Sequence, residues 1–113
     1  MSWQKARELN KDIYKITNSN NSFSKDFGLR DQIRRSSISI SSNIAEGFER
    51  ETTKEFIRFL YISKASAGEF RSQVYLAFDL DYINNDEFDN LILKVNEVSK
   101  LISGLIKYLN STL

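Results

Sequence analysis

Phe88, Leu91, Val95, Val98, Ile102, Leu105 and Leu109 follow one another at alternating intervals of three and four residues. Only a helix brings such positions onto one side, because its turn of about 3.6 residues returns after three or four steps. Ile92 and Ile106 widen the stripe. The segment opens with Asn84 and Glu87 at capping-box spacing, where each side chain can satisfy a free amide of the other residue. A helix apolar along one side must hide that side, so the rest of the chain has to supply partners.

Three further segments qualify. The chain has no proline, the usual helix breaker, which favours long uninterrupted helices. The first runs from about Ser2 to Thr17, with Ala6, Leu9, Ile13 and Ile16 on one face, and stops at the run NSNNS, whose side chains compete with helical backbone bonds. The second is predicted from about 25 to 50, with Ser24 as N-cap and Asp26 placed to favour the helix dipole. Leu29, Ile33, Ile40 and Ile44 form its stripe, and Ser36 or Ser37 fills the gap. Within it Ser37, Ile38, Ser39, Ile40 and Ser41 alternate like a half-buried strand. No turn signal separates Leu29 from Gly47, so the alternation reads as accidental. Asp31 with Arg35, and Glu46 with Arg50, have i,i+4 spacing. Gly47 weakens a helix by about 1 kcal/mol relative to Ala, and marks close packing or the approaching end.

The third segment opens with Thr52 and Glu55, again at capping-box spacing. Phe56, Leu60, Ser63, Ala67, Phe70, Val74 and Ala77 form a heptad-like seam, which breaks at residues 79–86. Four helices with short connections hide their faces as an all-α, antiparallel up-down-up-down four-helix bundle, one domain over residues 1–113. The third helix carries a second line, Ile57, Tyr61, Ala65, Gly68, Ser72 and Tyr75, about 130° around from the first. Neighbouring helices of the bundle can cover it. The sharper reading is a subunit interface, with small residues allowing close approach between aromatic anchors, so a homo-oligomer is expected.

Catalytic chemistry is not visible. The chain has no histidine, which removes the commonest general base and metal ligand, and no cysteine, which fits a reducing compartment. The loop DLDYINNDEF fails the Ca²⁺-loop pattern, because Ile83, Asn84 and Asn90 occupy ligand or glycine positions. Ser22 and Lys25 match S-x-x-K without its companion motifs. No enzyme, metal, cofactor or small-molecule substrate is expected. The early residues are charged and no apolar run approaches the ~20 residues of a membrane span, so a cytoplasmic location is expected. Sixteen Lys plus Arg against fifteen Asp plus Glu gives +1. Even so, Arg7, Lys11 and Lys15 recur every fourth residue, and Arg30, Arg34 and Arg35 cluster in the second helix. These are candidate contacts to the phosphates of RNA or DNA. Asn43 and Glu46 lie one turn apart and, with Arg35, are read as a structural polar network.

Residues 29–77 resemble the 23S rRNA intervening sequence proteins, also called S23 ribosomal proteins. The pattern falls on Leu29, Gln32, Ile33, Arg34, Arg35, Ser36, Ser39, Ile40 and the run Asn43-Ile44-Ala45-Glu46-Gly47, then on Lys54, Glu55, Phe56 and Glu69; residues 3–17 look like the family's first helix. Phe23-Ser24 stands where the family often has Phe-Pro. Leu80-Asp81-Tyr82 stands where it often has Leu-Gly-Tyr, and Asp can visit the left-handed conformation that Gly provides. The resemblance implies a four-helix bundle assembled as a ring-like homopentamer. A related branch, the accessory proteins of diversity-generating retroelements, binds nucleic acid and a reverse transcriptase, and is strongly basic where this chain is not. Two functions follow as expectations: a non-catalytic oligomer that associates with rRNA or other nucleic acid through its basic rows, or an oligomeric protein-interaction scaffold without that role.

Overall fold

The computed structural model describes residues 1–113 as five helices: α1 (Ser2–Ser19), α2 (Asn21–Lys25), α3 (Phe27–Phe48), α4 (Thr53–Asp79) and α5 (Asn85–Ser111). The four long helices follow the four apolar stripes and lie side by side in a body 48 Å long and 22 by 19 Å across. Their order around the body is α1, α3, α4, α5 and back to α1. Neighbours run antiparallel: Asn10 meets Ser41 while Thr17 meets Arg34, and Ser36 meets Gln73 while Ser39 meets Ser66. The stripes are the core. Leu9, Ile13, Ile33, Ile40, Ile44, Leu60, Phe70, Val74, Leu91, Val95, Val98 and Ile102 are wholly shielded from water. Each such side chain contributes roughly 1.5–3 kcal/mol before entropy is subtracted.

The Ser–Ile alternation lies within the continuous helix α3, as expected, and its serines have partners of their own. Every fourth residue of a helix returns to nearly the same face, so the serines divide between the two neighbours of α3. Ser37 and Ser41 turn toward α1, where Asn10 accepts from the first at 2.7 Å and donates to the second at 2.9 Å. Ser36 and Ser39 turn toward α4, reaching Gln73 Oε1 at 2.6 Å and Ser66 Oγ at 2.8 Å. From α4, Ser63 donates to the Ile40 carbonyl at 2.7 Å. No buried side-chain nitrogen or oxygen lacks a partner.

Several boundaries differ from expectation. The Asn/Ser run contains α2, because the Asn20 side chain accepts from the Phe23 amide at 2.8 Å and Phe23 is fully buried, stacked on Tyr82. Ser24 therefore lies inside α2, and Asp26 caps α3 by accepting from the Leu29 amide at 3.1 Å. At its far end α3 stops at Phe48. Gly47 is a close-packing point: a Cβ there would lie 2.7 Å from the Phe56 ring. Thr52 caps α4 through the Glu55 amide, while the reciprocal box forms at Asn84 and Glu87. Asp81 adopts φ 61, the left-handed conformation anticipated for the α4–α5 turn. Asp31 pairs with its neighbour Arg30 rather than with Arg35, whereas Glu46 does pair with Arg50. No helix is long and apolar enough to cross a membrane.

Candidate nucleic-acid interface

The cations of α1 stand on its solvent side because Ala6, Leu9, Ile13 and Ile16 fix the opposite side in the core. Arg7, Lys11 and Lys15 are exposed, and none of them forms an ion pair. The Arg7 guanidinium lies over the Trp3 ring, 4.9 Å from its centroid. The carboxylates of α1 are occupied elsewhere. Glu8 lies 3.9 Å from Lys5, which also reaches Glu97 at 3.0 Å, and Asp12 takes Lys94 at 2.6 Å. The hydrogen bond to Glu97, then the Glu97 and Glu8 charges, hold the Lys5 ammonium above the usual lysine value.

Arg34 carries the cationic face onto α3. Its Nε donates to Thr17 Oγ1 and its Nη2 to Asn18 Oδ1, both at 2.9 Å. Its guanidinium lies 4.4 Å from the Tyr14 ring centroid. Thr17 is itself buried and donates to the Ile13 carbonyl at 2.7 Å, so the acceptor for Arg34 is fixed in place. A planar guanidinium held by two acceptors and a ring is oriented in a way a lysine ammonium is not. Arg35 shares a shallow open groove with Tyr14, Asp31, Arg34 and Ile38. Arg30 is set apart from this group: it binds Asp31 and the Ser24 carbonyl and covers the Phe27 ring.

The face therefore unites Arg7, Lys11, Lys15, Arg34 and Arg35 and leaves out Arg30. Sequence spacing pointed to the cations but missed Tyr14 and Trp3. The signal for Trp3 was its i,i+4 spacing to Arg7; that for Tyr14 exists only once α1 and α3 are in register.

Arg35, Asn43 and Glu46 do not form the expected network. Asn43 donates to the Ser39 carbonyl at 2.8 Å and to Ser39 Oγ at 3.0 Å. Glu46 is exposed and turns to Arg50. A closer acceptor one turn back satisfies the Asn43 amide before any second residue is needed.

The second line on α4 is only partly covered. Ile57 is buried and Gly68 half-buried, but Tyr61, Ala65, Ser72 and Tyr75 are exposed, Tyr61 at 52% and Tyr75 at 50%. Ile62 and Leu76 extend the apolar surface. Between Arg71 and Lys94 the chain carries Asp79, Asp81, Asp86, Glu87 and Asp89 and no cation. The acids gathered at the α4–α5 turn thus offset cationic surfaces elsewhere. No group of three or more His, Cys, Asp or Glu side chains is placed to hold a metal ion.

A family model described as 23S rRNA-intervening sequence protein matches residues 1–104. Among solved structures, the chain is similar to a protein of unknown function from the S23 ribosomal protein family of Bacteroides thetaiotaomicron VPI-5482. The two share 26% identity and superpose with a TM-score of 0.88, covering 95% of this chain and 99% of the other. No curated protein matches.

Proposed function

The chain belongs to the 23S rRNA-intervening sequence protein family, and we propose that it acts in the cytoplasm without catalysis, as a helical bundle that holds RNA by its phosphate backbone. The observation behind this reading is the α1–α3 face, where Arg7, Lys11, Lys15, Arg34 and Arg35 stand free of carboxylate partners. Lys11 and Lys15 act as mobile point charges. Arg34, braced by Thr17, Asn18 and Tyr14, sets the orientation of the strand. Contacts of this kind position a nucleic acid without reading its bases. Neutralising about four phosphates weakens binding by roughly two orders of magnitude between 50 and 200 mM salt. The test is an electrophoretic shift with structured rRNA fragments over that range. A salt-dependent shift lost in Arg7→Glu with Lys11→Glu is expected. No shift, or a shift the variant leaves unchanged, overturns the reading.

The exposed side of α4 favours a second feature, self-association through Tyr61, Ala65, Gly68, Ser72 and Tyr75 beside the buried Ile57. The family resemblance makes a ring-like homopentamer the assembly of choice. Repeating one weak basic face around a ring raises its effective affinity without new contacts. A particle that assembles yet shifts no RNA would instead be a protein-interaction scaffold.

A further inference from the structure

The outer groove between α4 and α5 carries a second set of cations, independent of the α1 row. Lys64 and Arg71 stand seven positions apart on α4, and Lys100 and Lys107 seven apart on α5. Because the helices run antiparallel, the four meet in pairs. Lys64 and Lys107 line one depression of about 320 Å³; Arg71 and Lys100 line a second of about 550 Å³. Ser103 lines both, so the two depressions adjoin along the α4–α5 groove. Seven helical residues rise about 10.5 Å, which sets the distance between the pairs. None of the four cations forms an ion pair, and Arg71 Nη1 donates to the side-chain Oδ1 of Asn96 at 3.0 Å. Glu97 is the only carboxylate in the lining, and Lys5 already neutralises it.

We propose that this groove binds a single-stranded nucleic-acid segment, with its phosphates between the two cation pairs. The lining favours a phosphodiester chain over an acidic protein segment. Leu93 is the one apolar residue of the larger depression, whereas protein interfaces are built on apolar and aromatic cores and are depleted in lysine. Tyr61 borders the smaller depression, at the edge of the line proposed for self-association, and takes no part in holding the strand. At 100° per residue, Lys64 and Arg71 lie about 60° around α4 from the middle of the Tyr61–Tyr75 line, on the α5 side. A second copy seated on that line flanks the groove and leaves it open.

The test is fluorescence anisotropy of a labelled oligouridylate, titrated with the full chain at 50 and 200 mM salt. Neutralising about four phosphates of a single strand predicts roughly 50-fold weaker binding at the higher salt. Lys100→Glu with Lys107→Glu, both on the exposed surface of α5, is expected to weaken binding at least tenfold and to flatten the salt dependence, with helical content unchanged by circular dichroism. Lys25→Glu with Lys54→Glu, two exposed cations outside both faces, is expected to leave oligouridylate affinity within twofold, which separates loss of the groove from loss of overall positive charge. No binding at 50 mM salt, or wild-type affinity in the Lys100/Lys107 variant, overturns the proposal. So does displacement by polyglutamate as effective as by polyuridylate at equal charge, which would assign the groove to an acidic protein segment.

Discussion

Replacing Gly47 by alanine puts a methyl group 2.7 Å from Cδ1 and 3.1 Å from Cε1 of Phe56, and 3.3 Å from Cβ of Phe59. Carbon atoms rest about 3.5–4.0 Å apart, so the Phe56 ring has to give way by up to about 1 Å. That ring is also packed against Phe48, 4.8 Å between centroids, and Phe59 Cβ is fixed to the α4 backbone. Overfilling of this kind costs about 1–3 kcal/mol. The same substitution removes glycine from a helix, which contributes about 1 kcal/mol in the opposite direction. Gly104 supplies the control, since it is exposed on α5 and a Cβ there meets nothing within 4 Å. Gly104→Ala should therefore show the helical gain alone. The expected separation is about 1–3 kcal/mol between the two variants, with Gly104→Ala the more stable. Urea unfolding followed by circular dichroism at several protein concentrations measures it. Equal midpoints, or a more stable Gly47→Ala, would refute the close approach of α3 and α4 at this point.

Two other outcomes follow from particular contacts. The hydrogen bond to Asp26, then burial, then the Asp26 charge raise the Tyr82 hydroxyl above its ordinary value of 10.0. A raised group contributes in full below its unfolded value and is lost as pH climbs through the folded one; Lys5, raised above 10.5, behaves alike. Stability should fall as pH climbs above about 10, and fall less in Tyr82→Phe, which keeps the stack on Phe23; an unchanged alkaline limb would count against the Tyr82–Asp26 link. Gly68→Leu fills open space in the protomer but would obstruct a second copy seated on α4. Light scattering should show wild-type oligomers dissociating in the variant with helical content kept, and a wild-type monomer at micromolar concentration would dismiss the assembly.

The long helices were legible because their stripes repeat over many turns, and the caps at Thr52 and Asn84 because they act within one turn, whereas Ser24 was read as a cap that Asp26 supplies. Asp81 was legible through the family resemblance, because it stands where the family often has glycine and aspartate tolerates the left-handed conformation. What escaped depends on distant partners. Five residues do not make a stable helix alone; α2 exists because Phe23 is buried against Tyr82, which lies on the α4–α5 turn. Arg34 and Arg35 are adjacent and look equivalent in sequence, yet only Arg34 faces Tyr14 and Thr17. The polar network was misread because i,i+3 spacing shows that Asn43 and Glu46 share a face, not that they share a partner. The α4–α5 groove was invisible because its paired cations come from separate helices and meet only through antiparallel register.

A bundle with interchangeable apolar seams has a near-twin of opposite hand, in which the chain winds around its axis the other way. In that twin the two neighbours of α3 trade sides. Ser37 and Ser41 would meet α4, Asn10 would lose both hydroxyls, and Gln73 and Ser66 would turn toward α5. Hydrophobic burial scarcely distinguishes the two windings, whereas each polar group buried without a partner costs about 1–3 kcal/mol. The hydroxyls of α3 thus choose the chirality of the whole molecule, and with it which side chains line its outer grooves.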